Sequence, residues 1–296
     1  MANDNSDFKL YHYDPSLAAA VIFVTLFAVA SFLHTYQLIR TRTWFFIPFC
    51  VGGYFEAIGY VGRAIGAQET PNWSVGGYVL QTVLILVAPA LFAATIYMEL
   101  GRIILLTDGR KYSLMNPRWL TKTFVAGDVL SFLMQASGGG IMSSGTASSM
   151  DTGKNIIIGG LVVQVIFFSF FVVVGLMFHV RMHRAPTSKV LADVDIATAW
   201  KRHIYSLYAG SLLILIRSLF RLIEYGQGND GYLISHEVFL YVFDAVLMLT
   251  TMLLFAVFHG SELNALLKPG SGRAVRRVLS IYNLKDNNRQ SVLLRS

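Results

Sequence analysis

Residues 16–39 have the sequence SLAAAVIFVTLFAVASFLHTYQLI, a run without any lysine, arginine, aspartate or glutamate. A helix of that length rises about 36 Å, enough to cross the hydrocarbon core of a bilayer, which is about 30 Å thick. Similar apolar runs recur along the chain of 296 residues, which is 54% hydrophobic and 14% charged. An ordinary soluble domain carries about a quarter charged residues. The sequence therefore predicts an integral membrane protein.

The apolar runs predict an all-α membrane protein, a bundle of seven transmembrane helices. They lie at Ser16–Ile39, Trp44–Ile65, Gly77–Ile103, Thr123–Met142, Asn155–His179, His203–Glu224 and His236–His259. We expect residues 1–15 to form an extracellular N-terminal segment and residues 16–259 the transmembrane domain. Residues 260–296 are then a basic cytosolic tail.

The distribution of basic residues predicts the orientation. Of the 24 lysines and arginines, only Lys9 and Lys154 fall on the side of the N-terminus, and most others fall on the opposite side. Those inside spans or at their ends are Arg63, Arg102, Arg217 and Arg221. Because cytosolic loops are enriched in lysine and arginine, we expect the N-terminus outside and the C-terminus in the cytosol. Asn72, in an Asn-Trp-Ser sequon on the predicted outer side, is a glycosylation candidate.

Charge and motif content narrow the function classes. The lysines and arginines behind the net charge of +7 gather on the predicted cytosolic side, as is usual in membrane proteins, so we expect no nucleic-acid partner. The single cysteine, Cys50, lies inside a span and excludes an intramolecular disulfide. No H-E-x-x-H or P-loop motif occurs and no nucleophile with its base stands out, so we expect no enzyme activity, metal or cofactor. A zinc-dependent lipid hydrolase, using His179 and His183, is the last-ranked alternative.

Two segments on the predicted cytosolic side allow two interpretations each. The tail Ser261–Ser296 mixes basic and apolar residues, so we expect part of it to lie as an amphipathic helix on the anionic inner leaflet, and the alternative is a disordered tail. The stretch Val180–Arg202 is long enough to contact a cytosolic protein partner, and its alternative is a plain connecting loop.

Three spans carry ionisable and tyrosine side chains at membrane depth, spaced i, i+4, i+7 on one helical face. They are Glu56, Tyr60 and Arg63, then Arg217, Arg221 and Glu224, then Glu237, Tyr241 and Asp244. The fourth span adds Asp128 and Gln135. Because ionisable groups in hydrocarbon are costly, we expect these residues to bind substrate in a hydrated cavity in the outer half of the bundle. The alternative is that acids and bases only pair and hold the bundle together. We expect Glu99 and Arg102 to form an interfacial pair and His34 to pack in the core.

Several longer motifs resemble one family. They are RTWFFIP at 42–48, EAIGYVGR at 56–63, Gln81 with APALFAA at 88–94 and Tyr97, PRWLTK at 117–122, FVAGD at 124–128, QASGGG at 135–140, IRSLFRLIE at 216–224 and HEVFLYVFD at 236–244. In this order they are similar to the fungal RTA1-like family of lipid-translocating exporters, over nearly the whole stretch from Tyr11 to His259. One departure is that His259 is followed by Gly260, where such proteins often have proline.

The resemblance implies a fungal seven-span protein, usually of the plasma membrane, that exports sphingoid long-chain bases or confers resistance to toxic amphiphiles. Other members are associated with porphyrin or haem movement. The expected partners are therefore membrane lipids and an amphiphilic lipid substrate. A seven-helix lipid receptor or sensor is the alternative from another class.

Overall fold

The structure is a computed structural model and describes residues 13–70, 73–142, 147–228, 231–268 and 272–283. Its helices are α1 Leu17–Thr41, α2 Ile47–Gln68, α3 Val75–Leu106, α4 Pro117–Met142, α5 Ala147–Arg184, α6 Ser188–Ala192, α7 Val194–Gln227, α8 Glu237–Leu240, α9 Leu247–Val257 and α10 Ser261–Leu267. A π-helical segment, Tyr241–Val246, joins α8 to α9 without a break. The glycosylation candidate Asn72 lies outside the described residues.

The helices begin and end where local chemistry requires it. The Oγ atom of Ser16 accepts a hydrogen bond from the Ala19 backbone N–H at 3.3 Å, which caps α1. The carboxylate of Asp193 accepts from the Ile196 backbone N–H at 3.2 Å and caps α7. At its far end α1 stops at Arg42, whose left-handed backbone (φ 52°) turns the chain out of the helix.

Within the described residues, six helical segments are long and apolar enough to cross a membrane. They are Leu17–Thr41, Trp44–Gln68, Gly76–Leu106, Ser148–Arg184, Val194–Gln227 and Glu237–Leu267. The fourth predicted span coincides with α4, which has 26 residues but is less apolar because it contains Lys122, Asp128 and several glycines. The chain is thus a nearly all-helical, multi-pass membrane protein, and the count of seven spans stays a prediction.

Aromatic side chains fill the core at the end of the bundle where α1 leads into α2. The rings of Phe49 and Phe92 lie 4.5 Å apart, and Phe255 lies 5.4 Å from Phe49. Phe46 packs against Phe49 at 5.5 Å, and all four rings are buried. His34 joins this core, with its Nε2 atom 2.9 Å from the Met252 carbonyl, as the sequence predicted.

The C-terminal segment corrects the expectation of an all-α chain. Strands β1 Arg273–Arg277 and β2 Ser280–Asn283 form an antiparallel hairpin that follows α10. Gln37 Nε2 donates to the Val278 carbonyl at 2.7 Å and to the Ala256 carbonyl at 2.9 Å, which ties the hairpin to α1 and α9. Part of the tail, Ser261–Leu267, is thus helical, whereas residues 272–283 form the hairpin and are neither helical nor disordered.

The stretch Val180–Arg202 is also more regular than a plain connecting loop. Its first residues belong to α5, which continues to Arg184, and its last residues belong to α7, which begins at Val194. The short helix α6 lies between them. Long helices that pass the predicted span ends leave little irregular chain here.

Helices α4 and α5 pack closely because glycines line their contact. A Cβ atom on Gly138 would lie 2.6 Å from the Gly153 carbonyl oxygen and 2.8 Å from Ile157 Cγ1, whereas a Cβ atom on Gly139 meets nothing within 4 Å. We expect Gly138→Ala to lower the free energy of unfolding by about 1–3 kcal/mol, because the two backbones must separate. Gly139→Ala is the matched control and is expected to be neutral or slightly stabilising.

Thermal unfolding of the detergent-purified full chain measures this difference. Equal melting temperatures for the two variants would show that α4 does not pack on α5 through Gly138.

Candidate functional site

The candidate site lies between α2, α7 and the helix that runs from α8 through the π-helical segment into α9. The i, i+4, i+7 spacing puts three side chains of α2 on one face, and the same spacing does so on the facing helix. Helix α2 and the helix that contains the π-helical segment run antiparallel. Their side chains therefore meet in successive levels, Arg63 with Glu237 and Tyr60 with Tyr241. We name the levels by their members, beginning with the one near the start of α1.

The Arg63 level closes one end of the site. Arg63 Nη2 donates to Glu237 Oε1 at 2.7 Å and to Tyr13 Oη at 2.8 Å, and its Nε atom donates to Tyr241 Oη at 3.0 Å. The Ser16 backbone N–H donates to Glu237 Oε1 at 2.9 Å, which brings the start of α1 into the same group. The Arg63 side chain is fully buried, and its charge is neutralised by one carboxylate.

The tyrosine level comes next. The rings of Tyr60 and Tyr241 lie 6.0 Å apart. Phe23 of α1 stacks on Tyr241 at 5.1 Å, and Phe27 stacks on Tyr60 at 5.5 Å. These rings separate the Arg63 level from the charges below it. The Tyr60 hydroxyl is buried and has no hydrogen-bond partner within the described part of the chain.

The Asp244 level is the most heavily charged. Asp244, in the π-helical segment, pairs with Arg217 and with Arg221, whose Nη2 atom lies 2.5 Å from Asp244 Oδ2. Arg217 and Arg221 are four residues apart on α7, so both reach the same carboxylate. Arg221 Nη1 also donates to Glu224 Oε2 at 2.9 Å. One aspartate and one glutamate thus balance two arginines.

A proline explains one further contact of this level. Arg217 Nη2 donates to the backbone carbonyl of Ile85 at 2.9 Å. Residue 89, four positions later in α3, is Pro89, which has no backbone N–H to bond that carbonyl. The free carbonyl of Ile85 therefore accepts a hydrogen bond from Arg217. In the sequence, Pro89 is the signal that predicts a free carbonyl at this position.

Glu56 differs from the other acids of the site. It is fully buried, and neither carboxyl oxygen has a hydrogen-bond partner among the described residues. The charges of Asp244, Arg217 and Arg221 act on it electrostatically. It lies on the face of α2 toward the Asp244 level, four residues and thus about one helical turn before Tyr60.

Asp128 and Gln135 lie apart from this cluster, in the packing of α4 against α5 and α3. Gln135 Nε2 donates to Ser131 Oγ at 2.7 Å and to Gln164 Oε1 at 3.3 Å. Asp128 is buried and interacts with Tyr97 of α3. Over the described ranges, no hydrogen bond or ion pair joins either residue to the three levels. If Asp128 and Gln135 bind substrate, as predicted, they do so between α4 and its neighbours and not at the three levels.

A second buried network near the other end of α7 was missed in the sequence. His203 Nδ1 lies 2.8 Å from Glu99 Oε1, and its Nε2 atom lies 3.0 Å from Glu262 Oε2, which also pairs with Arg202. Glu99 and Arg102, the expected interfacial pair, act on each other electrostatically but form no direct ion pair among the described residues, because Arg102 donates to Asn264 Oδ1 at 3.0 Å. The three-residue spacing of Glu99 and Arg102 suggested a local pair, but tertiary packing supplies nearer partners.

In the portion of the chain that the structure describes, no three histidine, cysteine, aspartate or glutamate side chains group as metal ligands would. His179 and His183, the candidates for zinc, have ring centres 6.4 Å apart.

Comparison with known proteins places the chain in a family. The family model described as RTA1 like protein matches residues 49–265. The chain belongs to the RTA1-like family. Its matched region runs from Phe49, near the start of α2, past the end of α9, and therefore includes every residue of the Asp244 level.

Relatives of this RTA1-like chain have different names. Protoporphyrin uptake protein 1 of Saccharomyces cerevisiae is 40% identical, over 87% of this chain and 94% of that protein. Protein RTA1 of the same species is 35% identical, over 87% and 86%. A sphingoid long-chain base transporter, RSB1, also of Saccharomyces cerevisiae, is 26% identical, over 83% and 72%. No solved structure matches the chain.

The Arg63 level allows a test of charge pairing. Glu237→Gln keeps an oxygen that can accept from the Ser16 N–H but removes the counter-charge of buried Arg63. We expect the free energy of unfolding to fall by about 3 kcal/mol, because an unpaired charge stays buried. Adding Arg63→Met to Glu237→Gln should recover part of that loss. Denaturant unfolding of both variants and of Arg63→Met alone completes the cycle, and strictly additive losses would show that the pair contributes nothing.

Proposed function

We propose that this chain is a seven-span translocator that moves an amphiphile with an ionised head group across the membrane. Its substrates are sphingoid long-chain bases or toxic amphiphiles, carried outward across the plasma membrane. The observation that carries the proposal is the buried cluster of acids and arginines where α2, α7 and the π-helical segment meet. Ionisable groups at membrane depth are rare and mark substrate or ion pathways.

Helix α4 supports seven spans. With 26 residues it is about 39 Å long, more than the hydrocarbon core requires. Its apolar side chains Val129, Leu130 and Leu133 are exposed, whereas its polar Asp128 and Gln135 are buried against other helices. That distribution suits a helix with one face in lipid.

The basic residues supply the orientation of the proposal. With lysine and arginine gathered on the cytosolic side, the N-terminus is outside, and so is the start of α1. The Arg63 level, which contains Ser16, then faces the extracellular side, and the Glu99–His203–Glu262 network faces the cytosol.

The chemistry of the cluster favours a cationic head group. Acids outnumber arginines by one if Glu56 is included, so an ammonium group could be accepted without leaving an arginine unpaired. The hydrocarbon tail of the substrate would stay in lipid between the helices. A relative at 26% identity is named for sphingoid long-chain base transport, which agrees with a cationic amphiphile.

Porphyrin uptake is the second candidate, because a relative at 40% identity is named for it. A protoporphyrin carries two carboxylates that Arg217 and Arg221 could bind bidentately. Both arginines already pair with Asp244, so this substrate would first have to displace an internal partner.

Reconstitution of the purified full chain in sealed liposomes tests the proposal. We expect protein-dependent movement of a labelled long-chain base, and a loss of about tenfold or more in Glu224→Gln and Asp244→Asn, because each removes a counter-charge at the Asp244 level. Asp151→Asn, an exposed carboxylate on α5, is the matched control with wild-type movement expected. Labelled protoporphyrin is assayed in parallel.

The outcomes separate the candidate functions. Binding of the base without movement would identify a sensor, and movement of protoporphyrin alone would select the second candidate. A released hydrolysis product would identify an enzyme. Wild-type transport by both site variants would show that the substrate binds elsewhere in the bundle.

A further inference from the structure

The acids and arginines of the site do not balance. Glu237 pairs with Arg63, while Asp244 and Glu224 together pair with Arg217 and Arg221. Each guanidinium of this set therefore has one carboxylate to balance it. Glu56, which lies among them, is the acid left over within the described residues.

The surroundings of Glu56 do not accommodate a negative charge. The side chain is fully buried, and both oxygens lack a hydrogen bond in the described structure. The π-helical segment presents Asp244, a like charge, and α7 presents Arg217 and Arg221, whose charges are already balanced. A carboxylate without hydrogen bonds in an apolar interior is strongly disfavoured relative to the neutral acid.

The other neighbours offer Glu56 no counter-charge. On the same face of its own helix, the next titratable group is Tyr60, whose hydroxyl is also buried without a partner among the described residues. Helix α1 contributes the rings of Phe23 and Phe27 at the tyrosine level. Helix α3 contributes the Ile85 carbonyl, which already accepts a hydrogen bond from Arg217. The neutral acid is thus the form that this packing suits.

We propose that Glu56 carries a proton in the resting state and exchanges it for the cationic head group of the substrate. The inference rests on the function proposed above. When an ammonium group enters from the cytosolic side, the O–H bond of Glu56 breaks, the proton leaves to the cytosol, and the carboxylate pairs with the ammonium. When the ammonium leaves to the outside, a proton from the external solution forms the O–H bond again.

This exchange conserves charge at every stage. One cation moves out for one proton moving in, and the cluster holds a neutral sum before and after. The direction of transport then follows the proton gradient, so an acidic exterior drives export. A gradient of one pH unit supports about a tenfold concentration ratio of the cation.

The π-helical segment supplies a place for the accompanying movement. Asp244 lies on a turn with π-type hydrogen bonding, and such turns are found mostly as single insertions at functional sites. A change of that turn between π and α pairing would shift Asp244 along its helix and alter the charge that Glu56 experiences.

The test uses full-length protein in sealed liposomes and a fluorescent long-chain quaternary ammonium probe. This probe has a permanent charge, so a pH gradient does not redistribute it by passive diffusion as it would a weak base. With wild-type protein and a pH gradient of about one unit, we expect the probe to accumulate against its gradient about tenfold, and a proton ionophore to abolish the accumulation. Protein-free liposomes give the background.

Variants at position 56 test whether Glu56 couples proton movement to probe movement. Glu56→Gln has no proton to exchange and should lose gradient-driven accumulation, whereas Glu56→Asp should retain it with a shifted pH profile. Asp151→Asn, an exposed residue of α5 that belongs to none of the three levels, should behave as wild type. Gradient-driven accumulation by Glu56→Gln equal to wild type would overturn the inference.

Infrared spectroscopy tests the proton itself. The wild-type spectrum minus that of Glu56→Gln should contain the carbonyl stretch of a protonated carboxylic acid at neutral pH, and adding the probe to wild type should diminish that band. Because the probe titration needs only wild-type protein, it stands even if the variant does not fold. Absence of the band would show that Glu56 is ionised and would overturn the inference.

Failure of the inference and failure of the proposed function give different results. Movement of the probe at a rate and extent independent of the pH gradient leaves a translocator but overturns proton exchange. No protein-dependent movement of either the base or the probe overturns the proposed function and proton exchange together.

Discussion

The pairing of Asp244 with Arg217 and Arg221 is the interaction on which the rest of the bundle depends. In hydrocarbon an unpaired charge is costly, so two arginines on one face of α7 require an acid from a neighbouring helix. That acid fixes the rotation of the helix that contains the π-helical segment against α7. The Ile85 carbonyl, left free by Pro89, fixes α3 to the same guanidinium. One charge cluster thereby sets the relative positions of three helices.

The remaining helices align with that cluster by periodicity. Glu237 and Tyr241 precede Asp244 by seven and three residues, so they face the same way along the helix. The antiparallel α2 presents Arg63 and Tyr60 to them in the reverse order. Ion pairs and aromatic stacking therefore alternate along the contact. A one-turn slip of either helix would place Arg63 opposite a ring, and that mismatch specifies the register more strongly than apolar packing would.

Much of this arrangement could be predicted from sequence, because hydropathy and helical periodicity are local properties. Apolar runs predicted the helices, and the i, i+4, i+7 spacing predicted which side chains share a face. Partners across helices were less accessible. Glu99 pairs with His203, more than a hundred residues away, and no local pattern indicates that contact. The hairpin at 273–283 was missed because its strands are short and it depends on Gln37 and Ser261 for attachment.

In the proposed translocator, the same charge pairing constrains what the candidate site can bind. Because each arginine of the three levels already has a carboxylate, an anionic ligand enters only by displacing an internal acid, which must then be neutralised or moved. A cationic ligand meets a smaller barrier if one acid is held neutral, since losing a proton supplies the counter-charge without breaking an ion pair. Glu56 lies beside the Asp244 level and has no hydrogen bond among the described residues, so a change of its charge would disturb the fewest contacts. Under the proposed function, selectivity for the sign of the head group would follow from the ion pairs between the helices rather than from the shape of a pocket.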